Sequence, residues 1–250
     1  MQTDLQKRSI RAAFGNAAQG YDSVAHVQRH IADALLDRCM PGTGVAIDAG
    51  SGTGYAQEKL RTFGLSCIAL DHAAPMLRRA NGIGICGDIE ALPLSLASIT
   101  LYYSSLAWQW TDAARAIAEA ARVLTPGGLL AVATLGPYTL KELREAFRQA
   151  DNIEHVRQFV PAEYYAPQLA RAGFNNIQVQ RLPFVAHAHD FRSMLRDIKT
   201  LGAHVIDSPR PQGLFGVQRF RRAESHYEQL RDKSGLPVTY DAVFITARRK

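Results

Sequence analysis

Apolar positions recur along this chain in two alternating rhythms. Spaced three and four residues apart, they predict helices over residues 4–18 and 25–39, the second carrying Val27, Ile31, Ala34 and Leu35 on one stripe. Pro41-Gly42-Thr43-Gly44 breaks that rhythm. The run Val45-Ala46-Ile47-Asp48-Ala49 then has the length and composition of a buried strand, and a glycine-rich turn and a helical stretch to Thr62 follow it. Strand-type runs recur at 67–71, 83–88, 99–104 and 129–135, with helical stretches at 75–80 and 113–124 between them. Pro126-Gly127-Gly128 stops the last of these helices. Residues 140–150 and 161–172 read as helices, 176–186 as a strand and 238–247 as a final alternating strand. Strands alternating with helices predict an α/β fold built on a doubly wound, mostly parallel sheet. Residues 188–232 form a long helical, Arg-rich excursion between the two late strands; excursions of that length are usually lids, binding loops or disordered segments, and a lid is the reading here. The predicted organisation is a single domain over 1–250, with N-terminal helices (1–40), a ligand-binding core (41–186), a helical lid (187–235) and the last strand (236–250).

Composition narrows the picture. Hydrophobic residues at 47% and charged residues at 21% are ordinary for a folded globular chain. No unbroken apolar run reaches the ~18 residues of a membrane span, and the first residues hold no secretory apolar region, so a cytoplasmic location is expected. Cys39, Cys67 and Cys86 are scattered without ligand spacing and read as reduced core thiols. His187, His189 and His204 lack the spacing of metal ligands, and no metal is assigned. The net charge of +6 is unevenly placed: residues 1–180 hold sixteen basic and sixteen acidic side chains, residues 181–250 thirteen and seven. No block of five cations and no basic-aromatic ladder points to nucleic acid. A solvated basic face and a surface for an acidic partner both remain open.

The candidate chemistry gathers at strand ends. Asp48-Ala49-Gly50-Ser51-Gly52-Thr53-Gly54 directly follows the first strand, and glycines there let backbone approach a ligand. Tyr55 stands where a dinucleotide fingerprint would continue, and the Gly-Lys-Ser/Thr of a phosphate loop is absent. Asp71 closes the second strand, where a carboxylate can accept two ribose hydroxyls, with His72 beside it. Asp88 closes the third, placed for the exocyclic amine of an adenine, while Ile89 and Met76 offer apolar faces to the ring.

This ordered set resembles the class I S-adenosylmethionine-dependent methyltransferases, through Val45-Ala-Ile-Asp-Ala-Gly-Ser-Gly-Thr-Gly54 and Ala121-Arg-Val-Leu-Thr-Pro-Gly-Gly-Leu-Leu130. The resemblance implies a seven-stranded, Rossmann-like sheet whose last strand is antiparallel. It implies S-adenosylmethionine as methyl donor, with Gly50, Gly52 and Gly54 around its methionine part, Asp71 at the ribose, and Asp48 among the cofactor-binding residues. Asp88 and Ile89 would meet the adenine, and Ser104 and Leu106 would lie beneath the methionyl chain. Further segments are Ile10-Arg-Ala-Ala-Phe-Gly-Asn-Ala-Ala-Gln-Gly-Tyr-Asp22, Ser105-Leu-Ala-Trp-Gln-Trp110, Leu195-Arg-Asp-Ile-Lys-Thr-Leu-Gly-Ala-His204 and Leu236-Pro-Val-Thr-Tyr-Asp-Ala-Val-Phe244. Together they are similar to the malonyl-[acyl-carrier protein] O-methyltransferases of biotin synthesis. Ser51 departs from the Cys common there, in a loop that works mainly through its backbone.

That likeness implies methylation of the free carboxylate of a malonyl group held on acyl-carrier protein. A carboxylate is ionised near pH 7 and needs no general base. Orientation is best supplied by a guanidinium through paired hydrogen bonds, and Arg196 is the candidate, with Lys199 in the same segment. Tyr21 and Tyr240 are candidate hydroxyl donors. Trp108 and Trp110 either wall the substrate pocket or pack in the core. Two rivals stand beside this reading: a methyltransferase for a free small acid or quinone precursor, and a non-catalytic cofactor-binding assembly factor.

Overall fold

The buried run predicted at 45–49 forms β1 (Gly44–Ala49), whose last four residues are all buried, as a strand covered on both faces must be. The computed structural model describes residues 4–39, 42–150, 154–201 and 216–250. β1 pairs in parallel with β2 (Leu65–Asp71) and with β4 (Ile99–Ser105). β3 (Gly84–Cys86) lies parallel outside β2, and β5 (Leu124–Leu135) parallel outside β4. β7 (Leu236–Arg249) runs antiparallel between β5 and β6 (Phe174–Ala188), giving the seven-stranded order β3-β2-β1-β4-β5-β7-β6. The doubly wound sheet with an antiparallel last strand is therefore present as expected. Chain direction across the sheet reverses between β1 and β4, and the crevice at that switch point is where open α/β sheets bind ligands.

Alternation along the strands supplies two cores. Ile47, Tyr102, Leu130, Val132, Val243 and Ile245 face a layer formed by α6 (Ala113–Val123) and α8 (Tyr165–Arg171). Ala46, Leu101, Tyr103, Ala131, Ala133 and Phe244 face α3 (His26–Leu36) and α4 (Tyr55–Thr62). α6 starts at Asp112, whose carboxylate accepts from the amides of Ala114 and Arg115, worth about 1 kcal/mol for such a cap.

Several boundaries differ from the sequence pattern. Pro126–Gly128 does not separate α6 from a later strand: Ile99 pairs with Leu124 and Leu101 with Leu129, so the three residues bulge out of β5. β3 is three residues long. The helix expected at 75–80 is the single turn α5 (Ala74–Leu77), with two further turn bonds beyond it. The N-terminal pattern divides into α1 (Asp4–Ala17), the short α2 (Tyr21–Val24) and α3. Cys39 and Cys67 are buried, but Cys86 is exposed at the sheet edge and is not a core thiol.

The excursion before β7 contains α9 (Phe191–Thr200) and α10 (Gly216–Glu228), and His204 between them lies outside the described residues. α9 opens with a capping box, Asp190 accepting from the Ser193 amide while the Ser193 hydroxyl faces back to the Asp190 backbone. Phe191, Met194 and Ile198 on one stripe of α9 join Ala223 and Tyr227 of α10, Leu143 and Ala146 of α7 (Lys141–Ala150), and Leu236 and Val238. The described helices of the excursion, α9 and α10, thus form a cap that packs through one shared apolar core onto α7 and the start of β7. No described helix is long and apolar enough to cross a membrane.

Candidate active site

Two cavities adjoin at the carboxyl edge of the sheet and share Phe14, Tyr21, Leu106 and Trp110. The first encloses about 710 Å3, open mouth included, and is lined by Gly50, Gly52, Asp71, His72, Met76, Asp88 and Ile89 among others. Most of the residues expected to hold a nucleoside are brought together there.

Backbone geometry sets this loop. Gly52 adopts φ +55° with nothing within 4 Å of where a Cβ would stand, so its open side belongs to the cavity. Gly54, at φ +88°, plays another part: a Cβ there would sit 2.7 Å from that of Ala80, and Gly54 lines neither cavity. Asp71 Oδ2 accepts from the Gly52 amide at 2.9 Å and Oδ1 from the Ala73 amide at 2.8 Å. Burial nonetheless pushes its carboxyl above the usual range, so further donors at this carboxylate would be favourable. Burial lowers His72, whose ring Nε2 lies 3.2 Å from the Lys7 carbonyl.

Asp88 is not left open as the sequence suggested. Lys7 Nζ from α1 reaches Asp88 at 2.7 Å and Glu90 at 2.7 Å. Burial works against charge at Lys7 and Asp88 alike, and the ion pair overcomes it, raising the lysine and lowering the aspartate. Asp48 is 2% exposed, and burial with the nearby Asp71 raises it to about 7. Its Oδ2, Ser51 Oγ and Ser105 Oγ are buried without hydrogen-bond partners beside Gly50 and Gly52. Such orphaned groups are costly unless a ligand satisfies them.

The residues present fit S-adenosylmethionine. Asp71 offers a buried acceptor for a ribose, Ile89 and Met76 offer apolar walls for an adenine, and the orphaned oxygens gather at the loop expected to meet an amino-acid end. Ser104 is fully buried with its hydroxyl donated to the Ala49 carbonyl at 2.6 Å, and its neighbour Ser105 lines the cavity in its place. Strand alternation explains the exchange, because adjacent residues point to opposite faces.

The second cavity, about 1520 Å3 with its mouth, is lined mainly by apolar side chains from α7, α9 and the 155–159 connection. Gln28, Gln109, Thr139, Tyr240, His155, Arg157 and Lys199 add polar groups, and the described lining contains no carboxylate. Trp110 lines both cavities and packs edge-on against Phe14 with centroids 5.6 Å apart. Trp108, by contrast, is 1% exposed and donates its indole N–H to the Tyr102 hydroxyl at 3.2 Å, so it is a core residue. Arg196 lies outside both cavities. Leu195, Ile198 and Lys199 turn one stripe of α9 inward, and a residue one step from Leu195 is rotated about 100° away, into solvent. Leu106 and Leu140, at φ +56° and +54°, line this cavity, a strain of about 1–3 kcal/mol each for residues with a Cβ.

Sequence reasoning missed Lys7, Ile10 and Phe14 on α1, Ser105, Gln28 and Arg157. Ile10 and Phe14 fall in a segment that carries the family resemblance, but nothing in the sequence assigned them, or Lys7 before them, a place in the site. Among the described residues no group of three His, Cys, Asp or Glu side chains is arranged to hold a metal.

Comparisons with known proteins agree with this geometry. A methyltransferase-domain family model matches residues 47–132. Among solved structures, YcgJ from Bacillus superposes with a TM-score of 0.62 at 17% identity, covering 88% of this chain and 98% of that one. A methyltransferase from Thermotoga maritima, titled as a possible histamine N-methyltransferase, superposes at 0.59 with 19% identity over 96% and 100%. These share the fold. The malonyl-[acyl-carrier protein] O-methyltransferase of Dechloromonas aromatica is 40% identical over 253 residues, spanning 99% of this chain and 96% of that protein. The biotin biosynthesis bifunctional protein BioHC of Cellvibrio japonicus is 36% identical over 97% of this chain and 50% of its own length. Identity at that level from end to end shows that this chain, an S-adenosylmethionine-dependent methyltransferase, belongs to the malonyl-[acyl-carrier protein] O-methyltransferase family.

Proposed function

We propose that this enzyme methylates the free carboxylate of a malonyl group carried on acyl-carrier protein, giving a methyl ester. The observation that carries this reading is the meeting of two cavities at Phe14, Tyr21, Leu106 and Trp110, one acid-lined and one without carboxylates. S-adenosylmethionine, when bound, supplies a methyl group made electrophilic by its positively charged sulfur. Asp71, Met76, Ile89 and the Gly50–Gly52 loop would hold it. The substrate oxygen is ionised near neutral pH and needs no base. The nearby residues agree: burial, with Asp71 and Asp22 next, pushes the Tyr21 phenol far above its ordinary value, so it remains a hydroxyl donor. Burial likewise raises Tyr240, beside Gln28. Phe14, Leu106 and Trp110 give the junction apolar walls, and positioning with water held off is the main contribution such a reaction needs.

α9 walls the outer cavity through Leu195, Ile198 and Lys199, and this side would admit the acyl arm. Purified enzyme with methyl-labelled S-adenosylmethionine and malonyl-acyl carrier protein should give labelled ester that alkali releases as methanol. Equal labelling of acetyl-acyl carrier protein would contradict the carboxyl assignment, and preference for free malonate would return the enzyme to the small-acid class.

A further inference from the structure

A third cavity adjoins the other two at the glycine loop, lined by Arg29 and Ala32 of α3 and by Asp48 and Ser51 among others. Tyr21 and Leu106 are the two residues that line all three. A sulfonium carries three substituents that point in three directions. A donor with its nucleoside in the first cavity and its amino-acid end toward the third would have its sulfur where they meet, with the methyl facing the second. That place is against Leu106. We propose that Gln109 is a positioning residue for methyl transfer, acting by holding the Leu106 turn at this meeting point. The inference takes its acceptor from the carboxyl-methylation reading above.

Leu106 directly follows β4 at φ +56°, a strained conformation for a residue with a Cβ, and such a conformation persists only where its surroundings impose it. Three contacts do so. The Leu106 amide donates to the Ala133 carbonyl at 2.8 Å, and its own carbonyl accepts from Gln109 Nε2 at 2.6 Å. The next residue, Ala107, packs so closely on the glycine loop that a Cβ at Gly50 would overlap its own. Gln109 is anchored in turn, because its Oε1 accepts from the hydroxyl of Thr134 of β5 at 3.3 Å, and Thr134 is fully buried. A backbone carbonyl can only accept, which fixes the amide nitrogen on the Leu106 side and the oxygen on the Thr134 side. The carboxamide thus ties the strained turn to the sheet, a task that needs a donor and an acceptor on one short side chain. Gln109 also lines the second cavity, so a direct hold on the acceptor is the rival reading, and KM decides between them.

Gln109→Leu keeps the side-chain volume and removes both bonds. It is compared with wild type for kcat and KM on malonyl-acyl carrier protein and for calorimetric affinity for S-adenosylmethionine. The kcat should fall about ten- to a hundred-fold, the cost of a reacting group held slightly out of place. KM and cofactor affinity should change by no more than about three-fold, because positioning is lost and binding is not. Thr134→Val removes the far anchor alone and should give the same split with a smaller loss, which keeps the test open if Gln109→Leu folds poorly. In the Leu106→Gly background, where no side chain backs the methyl, adding Gln109→Leu should cost no more than about two-fold. With no acceptor present, the NMR signal of an isotope-labelled methyl on bound S-adenosylmethionine should shift in Gln109→Leu. An unchanged kcat overturns the proposal, and so does an unmoved methyl signal. A loss confined to KM overturns it by making Gln109 a direct contact of the acceptor, and full additivity with Leu106→Gly does so by cutting the link to that turn. Wild-type enzyme inactive on every malonyl thioester would contradict the carboxyl-methylation reading alone, and the methyl signal would still decide the role of Gln109.

Discussion

At the scale of single residues, position on a strand end decides what an acid does. Asp71 both fixes the glycine loop, through the Gly52 amide, and presents an acceptor to the first cavity. Asp71→Ala should weaken S-adenosylmethionine binding about ten- to a hundred-fold in calorimetry. Because each backbone bond to it is worth about 1 kcal/mol, the variant should also melt about 2–8 °C lower. Unchanged affinity would remove Asp71 from the site. Asp48 carries a different signature. Its folded-state value of about 7 exceeds the ~3.9 of an unfolded aspartate, so the folded protein holds the proton longer. Its contribution to stability is therefore greatest below about pH 4 and is lost as pH rises toward 7. Without cofactor, Asp48→Asn should melt above wild type at pH 8, with the gap closing near pH 4. A gap independent of pH would rule out this titration. Both acids were legible from the sequence because strand, turn and acid follow one another in order. Ser104 and Trp108 were not: Ser104 and Ser105 face opposite sides at the end of β4, and Trp108 and Trp110 lie on one tight 3-10 turn, where residues two apart point in different directions.

Elements show the same division between local and distant information. The parallel, doubly wound core follows from strands alternating with helices, and the seven strands with an antiparallel β7 are implied by the family resemblance. The Pro126–Gly128 bulge follows from neither, since only pairing with Ile99 keeps Leu124 in the sheet. α1 is the clearest case of function hidden in an ordinary pattern. Its Ile10 and Phe14 line the first cavity, while Lys7 ties the helix to Asp88 and Glu90. It adds no strand, and its contacts are chiefly with the short α5. Removing residues 1–17 should thus leave the sheet folded and reduce cofactor affinity at least about ten-fold, by the loss of buried wall and ion pair. Circular dichroism with calorimetry would check this. Full affinity in the truncated protein would show that α1 closes nothing. Lys7→Met should give a smaller version of the same loss, steeper at low salt, because only the ion pair is removed.

Over the whole molecule, the basic excess of residues 181–250 divides by the direction of β7. That strand enters at the cavity edge and leaves at the opposite edge, where Arg248 pairs in register with Leu129 at the start of the parallel run. Arg248, Arg249 and Lys250 are therefore remote from the cavities, and Arg249 is occupied by the carbonyls of Ala121 and Gly173. Arg181 is likewise engaged, by Asp241 at 2.8 Å. On the two helices before β7, Arg196 of α9 and Arg221 and Arg222 of α10 are exposed, and α9 walls the outer cavity. An acidic carrier protein approaching the outer cavity would meet this set, and exposed charges act over about 8 Å at physiological salt. Turnover on malonyl-acyl carrier protein should accordingly fall with added salt more than turnover on a short malonyl thioester. Reversing Arg221 and Arg222 to Glu should raise KM for the carrier-linked substrate several-fold and flatten its salt dependence, sparing the short thioester. Reversing Arg248 and Lys250, the same change in net charge on the far edge, should leave both substrates nearly unaffected. The paired variants distinguish a local docking face from overall charge. Equal effects of the two reversals would assign the salt response to net charge alone, and identical salt responses for the two substrates would exclude docking through the cap.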